Sequence, residues 1–176
     1  DDLERIAMNF GPENIAACIV EPIAGSTGTL VPPKGYLKKL RNICDKHGIL
    51  LIFDEVITGW GRTGSSFASI EYGVTPDIMT MAKATTNGVV PMGVVACKDE
   101  IYDSVMDASP MGSVELFHGY TYSGIPVAVA AALAVQDIFE KEDIFSRVKK
   151  LAPYFQKGLF SRQDLESVEN IRGYGM

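Results

Sequence analysis

The chain is poor in the residues that build metal centres and disulfide frameworks. It has two histidines and three cysteines in 176 residues and no Cys-x-x-Cys spacing, so a metal site has almost no material. Cys18, Cys44 and Cys97 are odd in number, widely spaced and set in apolar sequence. They read as reduced core residues of a cytoplasmic protein. Long apolar runs are missing too: the longest, Val127 to Val135, is too short to span a bilayer, so no membrane association is expected. The first residues, Asp1-Asp2-Leu3-Glu4-Arg5, lack the basic-then-apolar pattern of a signal peptide. Positive charge is not in excess. Sixteen basic against 22 acidic residues give a net charge of −6. The densest basic cluster, Lys34 to Arg41, falls on the outer face of a predicted helix, so nucleic acid is not expected as a partner.

What is there fits a globular protein with a substantial core: 47% of the residues are hydrophobic and only 9 are proline. The length suits one large domain or part of something larger, and the abrupt start and end read as a segment of a longer protein. Leu3, Ile6 and Ala7 share one face of a short helix broken at Gly11-Pro12. Ile15 to Val20 is a strand-length apolar run stopped by Glu21-Pro22, and Gly25, Gly28 and Pro32-Pro33 mark a loop. From Gly35 to His47, Leu37, Leu40, Ile43 and Cys44 recur at helical spacing, with lysines and Arg41 on the other side and Gly48 as the stop. A strand over 49–53 follows at once. This strand–helix–strand unit is the signature of a parallel sheet.

Further on, Ser65 to Tyr72 predicts a short helix, Ile78 to Ala82 a strand, and Pro91 to Cys97 a strand buried on both faces. Asp99 is placed to cap a short helix. An alanine-rich, nearly all-apolar helix from about Pro126 to Phe139 is expected to be buried, within the chain or at a subunit interface, and an amphipathic helix from about Ile144 to Phe160 follows. Val168 to Met176 reads as a turn entering a strand.

Everything is organised around Ile49 to Lys83. The apolar run Ile49-Leu50-Leu51-Ile52-Phe53 stops at Asp54-Glu55, and Ile78-Met79-Thr80-Met81-Ala82 ends on a lone lysine, Lys83. Each strand delivers a charged residue at its C-terminal end, the rim where open α/β sheets bind ligands. Between them, Gly59-Trp60-Gly61-Arg62-Thr63-Gly64 matches the dinucleotide pattern G-x-G-x-x-G. The context is wrong for that use. Residues 54–58, two of them acidic, separate the strand from Gly59, and a carboxylate pair repels phosphate. Asp77 precedes a strand where the ribose-binding acid should end one. A dinucleotide-binding oxidoreductase is therefore the lesser alternative.

Asp54 and Lys83 make better sense together. Alone, Asp54 reads as a strand cap and Lys83 as a surface lysine. A lysine between Met79-Thr80-Met81-Ala82 and Ala84-Thr85-Thr86-Asn87-Gly88 is not expected to be freely solvated, however, and a desolvated lysine becomes a competent amine nucleophile. The recurring partner of such a lysine is pyridoxal phosphate, held as a Schiff base with an aspartate on the ring nitrogen.

Three blocks carry a family resemblance: Glu21-Pro22-Ile23-Ala24-Gly25-Ser26-Thr27-Gly28, then Phe53-Asp54-Glu55-Val56 with Thr58 to Gly64, then Pro76-Asp77-Ile78-Met79-Thr80-Met81-Ala82-Lys83. They closely resemble the class III pyridoxal-phosphate aminotransferases, and His118-Gly119-Tyr120-Thr121-Tyr122-Ser123-Gly124 resembles that family's phosphate-contacting loop. The resemblance implies an α/β, fold type I large domain with a doubly wound, mainly parallel sheet, incomplete in this chain. Residues 1–166 would be part of that domain and 167–176 the entry to a C-terminal small domain.

The resemblance also assigns roles. Lys83 would hold the cofactor and shuttle the proton, and Asp54 would pair with the ring nitrogen. Val56 would pack on the ring, although an ordinary core valine is the alternative. Thr121 would donate to the cofactor phosphate of a neighbouring subunit in a homodimer. Glu21 would face the substrate pocket, or else only cap a loop. Arg62 reads as a loop anchor and His118 as a loop hydrogen-bonder. The expected partners are a small-molecule amino donor, an amine or ω-amino acid, and an α-keto acid acceptor such as pyruvate. Ile57 stands where several members carry a glutamine that contacts the cofactor. With Thr58-Gly59 it looks more like the ω-amino acid (β-alanine type):pyruvate branch, although Ile125 stands where that branch often has histidine or asparagine. An aminomutase of the same family is an alternative. The resemblance further implies that this stretch alone does not assemble a complete pocket and is inactive by itself.

Overall fold

A computed structural model of the chain describes residues 2–111 and 120–176. Helix α1 (Asp2–Phe10) leads through a 3-10 turn at Pro12–Asn14 into β1 (Ala17–Val20). Helix α2 (Tyr36–His47) returns the chain to β2 (Leu50–Asp54), and α3 (Ala68–Tyr72) to β3 (Ile78–Met81). Then come β4 (Val94–Cys97), α4 (Asp99–Asp107), α5 (Pro126–Lys141) and α6 (Ile144–Phe160). The four strands form one sheet in chain order, with β1, β2 and β3 parallel and β4 antiparallel to β3.

Helix α2 starts and stops where its glycines allow. Gly35 (φ 82°) and Gly48 (φ 67°) are both left-handed, and the Gly48 amide closes the last turn on the Cys44 carbonyl. The spacing seen in the sequence then seats Leu37, Leu40 and Cys44 on one side of the sheet. There they meet Ala7 of α1 and Leu51 and Phe53 of β2, all buried. Burial of each such aliphatic or aromatic side chain stabilises the fold by roughly 1.5–3 kcal/mol. Burial also pushes the Cys44 thiol up to about 11, so it behaves as a small apolar group.

Several expectations change. Strand β4 is not buried on both faces: it is the last strand of the described sheet, and Val95 is 69% exposed. Cys97 at its end is exposed and is not a core residue. Within the single chain helix α5 buries only Ala128 and Val135, while Leu133 is 62% exposed, so of the two expected coverings the chain's own core is not the one that buries it. Asp99 makes no cap; it is the first residue of α4, and Lys98, at the N-cap, makes no side-chain bond to the helix. Arg41 is not on an outer face but pairs with Asp77 and Asp45, each at 2.7 Å. The final segment forms no strand. It runs back over the molecule, with the Met176 amide on the Arg62 carbonyl (3.1 Å), the Tyr174 hydroxyl on Glu71 (2.8 Å) and Arg172 Nε on the Gly28 carbonyl (2.8 Å). Among the described residues, no helix is long and apolar enough to cross a membrane.

Candidate functional site

Because β1, β2 and β3 are parallel and in register, their C-terminal ends lie side by side: Val20 is opposite Phe53, and Asp54 opposite Thr80. Glu21, Asp54 and Lys83 follow those ends, so the fold gathers at one rim the charged residues that the sequence pattern singles out. Glu21 turns back on its own loop, its Oε2 accepting the Gly25 amide at 2.9 Å. Gly25 lies against Ile57, where a Cβ would come within 2.7 Å of Cδ1. The first rim loop thus packs directly on the second. Asp54 Oδ1 accepts the Val56 amide at 3.0 Å, a tight turn that fixes the carboxylate. Among the described residues its Oδ2 accepts no hydrogen bond.

The lysine sits on an unusual backbone. Strand β3 ends at Met81, and the chain winds into a single 3-10 turn, Lys83–Thr85, with Lys83 itself at φ 44°. For a non-glycine residue that conformation costs on the order of 1 kcal/mol and persists only where neighbours hold it. The neighbours are the Lys83 carbonyl, which accepts the Gly88 amide at 3.1 Å, and buried Thr86, whose hydroxyl donates to the Val90 carbonyl at 2.5 Å. The expected desolvation of Lys83 is not met: in the turn that follows the strand its side chain is exposed. Among the described residues it forms no ion pair, and none joins it to Asp54. An acid and an amine that shared a direct salt bridge would satisfy each other; these remain available to a third group.

Val56 is half-buried beside Asp54. Thr121 is exposed, in a turn closed by the Ser123 amide on the Tyr120 carbonyl (2.9 Å), and among the described residues no hydrogen bond joins it to Asp54 or Lys83. His118 lies outside the described residues.

The glycine loop is a packing surface and not a phosphate cradle. A Cβ on Gly59 would meet the Glu55 carbonyl at 2.8 Å, one on Gly61 would meet Phe145 at 2.7 Å, and one on Gly64 would meet Lys149 at 2.6 Å. Helix α6 therefore occupies the space that a pyrophosphate would need.

Sequence reasoning missed the residues that hold the rim in place. Glu55 is fully buried, and its carboxylate accepts the Ala68 and Ser69 amides at 2.8 and 2.7 Å and the Thr58 hydroxyl at 2.7 Å. It caps α3 while fixing the turn directly after Asp54. Asp77 accepts the Leu51 amide and Arg41 on Oδ2 and Lys98 on Oδ1, each at 2.7 Å. Burial pushes its carboxyl up, but Lys98, the Leu51 amide and Arg41 together outweigh that and hold it below the ordinary aspartate range. The available signal was an acid standing immediately before an apolar run. Trp60 donates its indole N–H to Thr85 at 2.9 Å, tying the loop after β2 to the turn after β3.

The comparisons place this geometry among known proteins. The class-III aminotransferase model matches residues 1–176. The chain is 54% identical to an ω-aminotransferase of Caulobacter vibrioides over all of its length and 40% of that protein's. It is 54% identical to a β-alanine–pyruvate aminotransferase of Pseudomonas aeruginosa and 50% identical to an ω-amino acid–pyruvate aminotransferase of Pseudomonas putida, covering 40% and 39% of them. The chain thus spans about two fifths of the length of the relatives it matches. Among solved structures, an (S)-enantioselective ω-transaminase from Thermomicrobium roseum superposes with a TM-score of 0.91 at 43% identity, over 98% of this chain and 38% of that one. An ω-transaminase variant from Pseudomonas jessenii superposes at 0.92 and 38% identity, again over 98% and 38%. Fold, motifs and relatives agree, and the chain belongs to the class-III aminotransferases.

Proposed function

We propose that this chain supplies the lysine and the acid of a pyridoxal-phosphate-dependent transaminase that moves an amino group from an amine or ω-amino acid to pyruvate. The observation that carries the reading is the rim itself: a lysine that is exposed and, among the described residues, unpaired, and a carboxylate with one oxygen free of them, follow neighbouring parallel strands. That donor set fits the cofactor, which needs an amine for its carbonyl carbon and an anion for its ring nitrogen. When bound, pyridoxal phosphate supplies an electron sink for the carbanion left on the substrate's amine-bearing carbon.

Lys83 Nζ holds the cofactor between turnovers and carries the proton taken from that carbon. Asp54, fixed by the Val56 amide, offers Oδ2 to the ring N–H and keeps that nitrogen protonated. Val56 packs on the ring. Thr121 donates its hydroxyl to the cofactor phosphate of a partner subunit, which suits its exposed place in this chain. Glu21 spends Oε2 on the Gly25 amide and has Oε1 to present to the substrate. Residues 1–166 form part of the cofactor-binding large domain and 167–176 lead to the small domain. Activity is assigned to the full-length, homodimeric enzyme, and the free cysteines suit a cytoplasmic location.

The test is spectroscopic. Full-length enzyme loaded with pyridoxal phosphate should show the visible absorbance of the lysine-bound cofactor, and Lys83→Ala should abolish both that band and alanine formation from pyruvate. Borohydride reduction followed by peptide mapping should mark Lys83. Labelling of a different residue would overturn the assignment.

A further inference from the structure

We propose that Trp60 is a positioning residue for Lys83, acting through Thr85. The proposal rests on the reading of Lys83 as the cofactor lysine. It starts from two left-handed residues that are not glycine: Trp60 at φ 60° in the loop after β2, and Lys83 at φ 44° in the turn after β3. A relay of side-chain hydrogen bonds links them, beside the backbone bonds that close the turn, among them the Thr85 amide on the Ala82 carbonyl at 3.0 Å. The Trp60 indole N–H donates to Thr85 Oγ1 at 2.9 Å, and that hydroxyl donates to the Ala82 carbonyl at 3.0 Å. Thr85 is 3% exposed, so water does not readily replace either bond. A hydroxyl that accepts at one lone pair and donates at its proton is polarised in both directions, and each bond strengthens the other.

The target of the relay matters. The Ala82 carbonyl belongs to the peptide unit that enters Lys83, and the orientation of that unit against the lysine Cα is the φ angle in question. Holding the carbonyl holds the left-handed angle, and that angle sets the direction in which the lysine side chain leaves the rim. Trp60 is itself braced, with its ring 5.0 Å from Phe67 and 6.3 Å from Phe139. The glycines on either side lack the Cβ atoms that would strike the Glu55 carbonyl and Phe145, so the loop passes close enough for the indole to reach the turn. A loop that mimics a dinucleotide fingerprint thereby acquires a different task.

If Trp60 were only a hydrophobic plug, its N–H would be dispensable. The experiment uses the full-length, cofactor-loaded enzyme and four variants. Trp60→Phe keeps the ring stacking and loses the N–H; Thr85→Val keeps the shape and loses the hydroxyl; Thr85→Ser keeps the hydroxyl; the fourth combines the first two. Visible circular dichroism per bound cofactor reports how the lysine presents it, independently of turnover. Trp60→Phe and Thr85→Val should each lower that signal and weaken pyridoxal phosphate binding about three- to tenfold, the worth of one hydrogen bond. Thr85→Ser should retain the wild-type signal, and the double variant should be no worse than the more affected single, because both cut one relay. Wild-type dichroism and affinity in both single variants, with or without a lowered melting temperature, would overturn the proposal, as would effects that simply add. A wild-type enzyme lacking the visible band, or a Lys83→Ala enzyme retaining it, sinks the underlying reading and the proposal with it.

Discussion

Adjacent carboxylates with opposite fates define the rim at the scale of single residues. Among the described residues Asp54 keeps an oxygen free, whereas Glu55 is fully buried and accepts two amides and a hydroxyl. The alternation of a strand end explains the division: side chains one residue apart leave opposite faces, so one points to the ligand edge and the other into the protein. Glu55→Ala would orphan two buried amides at once. It should destabilise the enzyme by roughly 2–4 kcal/mol in a denaturant melt, more than loss of the exposed Glu100 on α4 could. A loss below about 0.5 kcal/mol, the range of ordinary surface substitutions, would show that water reaches those amides.

At the scale of elements, the glycines divide into two kinds that one substitution separates. Gly61 (φ 97°) and Gly73 (φ 61°) are both left-handed, but only Gly61 has a neighbour where a Cβ would stand, namely Phe145 of α6 at 2.7 Å; nothing lies within 4 Å of that point at Gly73. Gly73→Ala should therefore cost about 1 kcal/mol of backbone strain, and Gly61→Ala roughly 2–3 kcal/mol because α6 must also shift. Thermal melts of the two variants compare the two terms directly, and equal losses would remove the packing role.

The same distinction explains what was legible in the sequence. Helix α2 was legible because its spacing, its basic flank and its terminal glycine are local facts. So was the rim, since apolar runs that end on Glu21, Asp54 and Lys83 announce where strands stop. The burial of β4 and α5 was not, because an apolar run states a preference and says nothing about which neighbours cover it. Arg41 with Asp77, Glu55 with Ala68 and Ser69, and Trp60 with Thr85 lie 36, 13, 14 and 25 residues apart in the chain. No periodicity encodes such pairings. Local spacing likewise left Lys83 looking enclosed, since a turn that rotates the chain out of the strand direction leaves no mark on composition.

For the molecule as a whole, Asp77 is the carboxylate on which several elements converge: Arg41 comes from α2, the Leu51 amide from β2, and Lys98 from the end of β4. Its folded pKa is depressed, so its stabilising contribution is complete above the ordinary aspartate value near 3.8 and disappears as the pH falls through the lower folded value. Acidification from about pH 5 to about pH 2 should lower the melting temperature of the wild type more steeply than that of Asp77→Asn, which has no such proton to take up. Parallel curves for the two proteins would show that the network contributes no pH-linked stability.

The order of the strands has a kinetic consequence. Each strand pairs with the next one along the chain, so the sheet grows by short closures in the sequence in which a ribosome releases its parts. The bond from Arg172 to Gly28 spans 144 residues and closes a much longer loop at a greater entropic cost. The carbonyl it reaches belongs to the loop that Glu21 caps. Within this stretch, synthesis therefore releases the acid and lysine ends of the rim before the segment that carries Arg172, which locks the remaining loop after the four described strands beneath it have emerged.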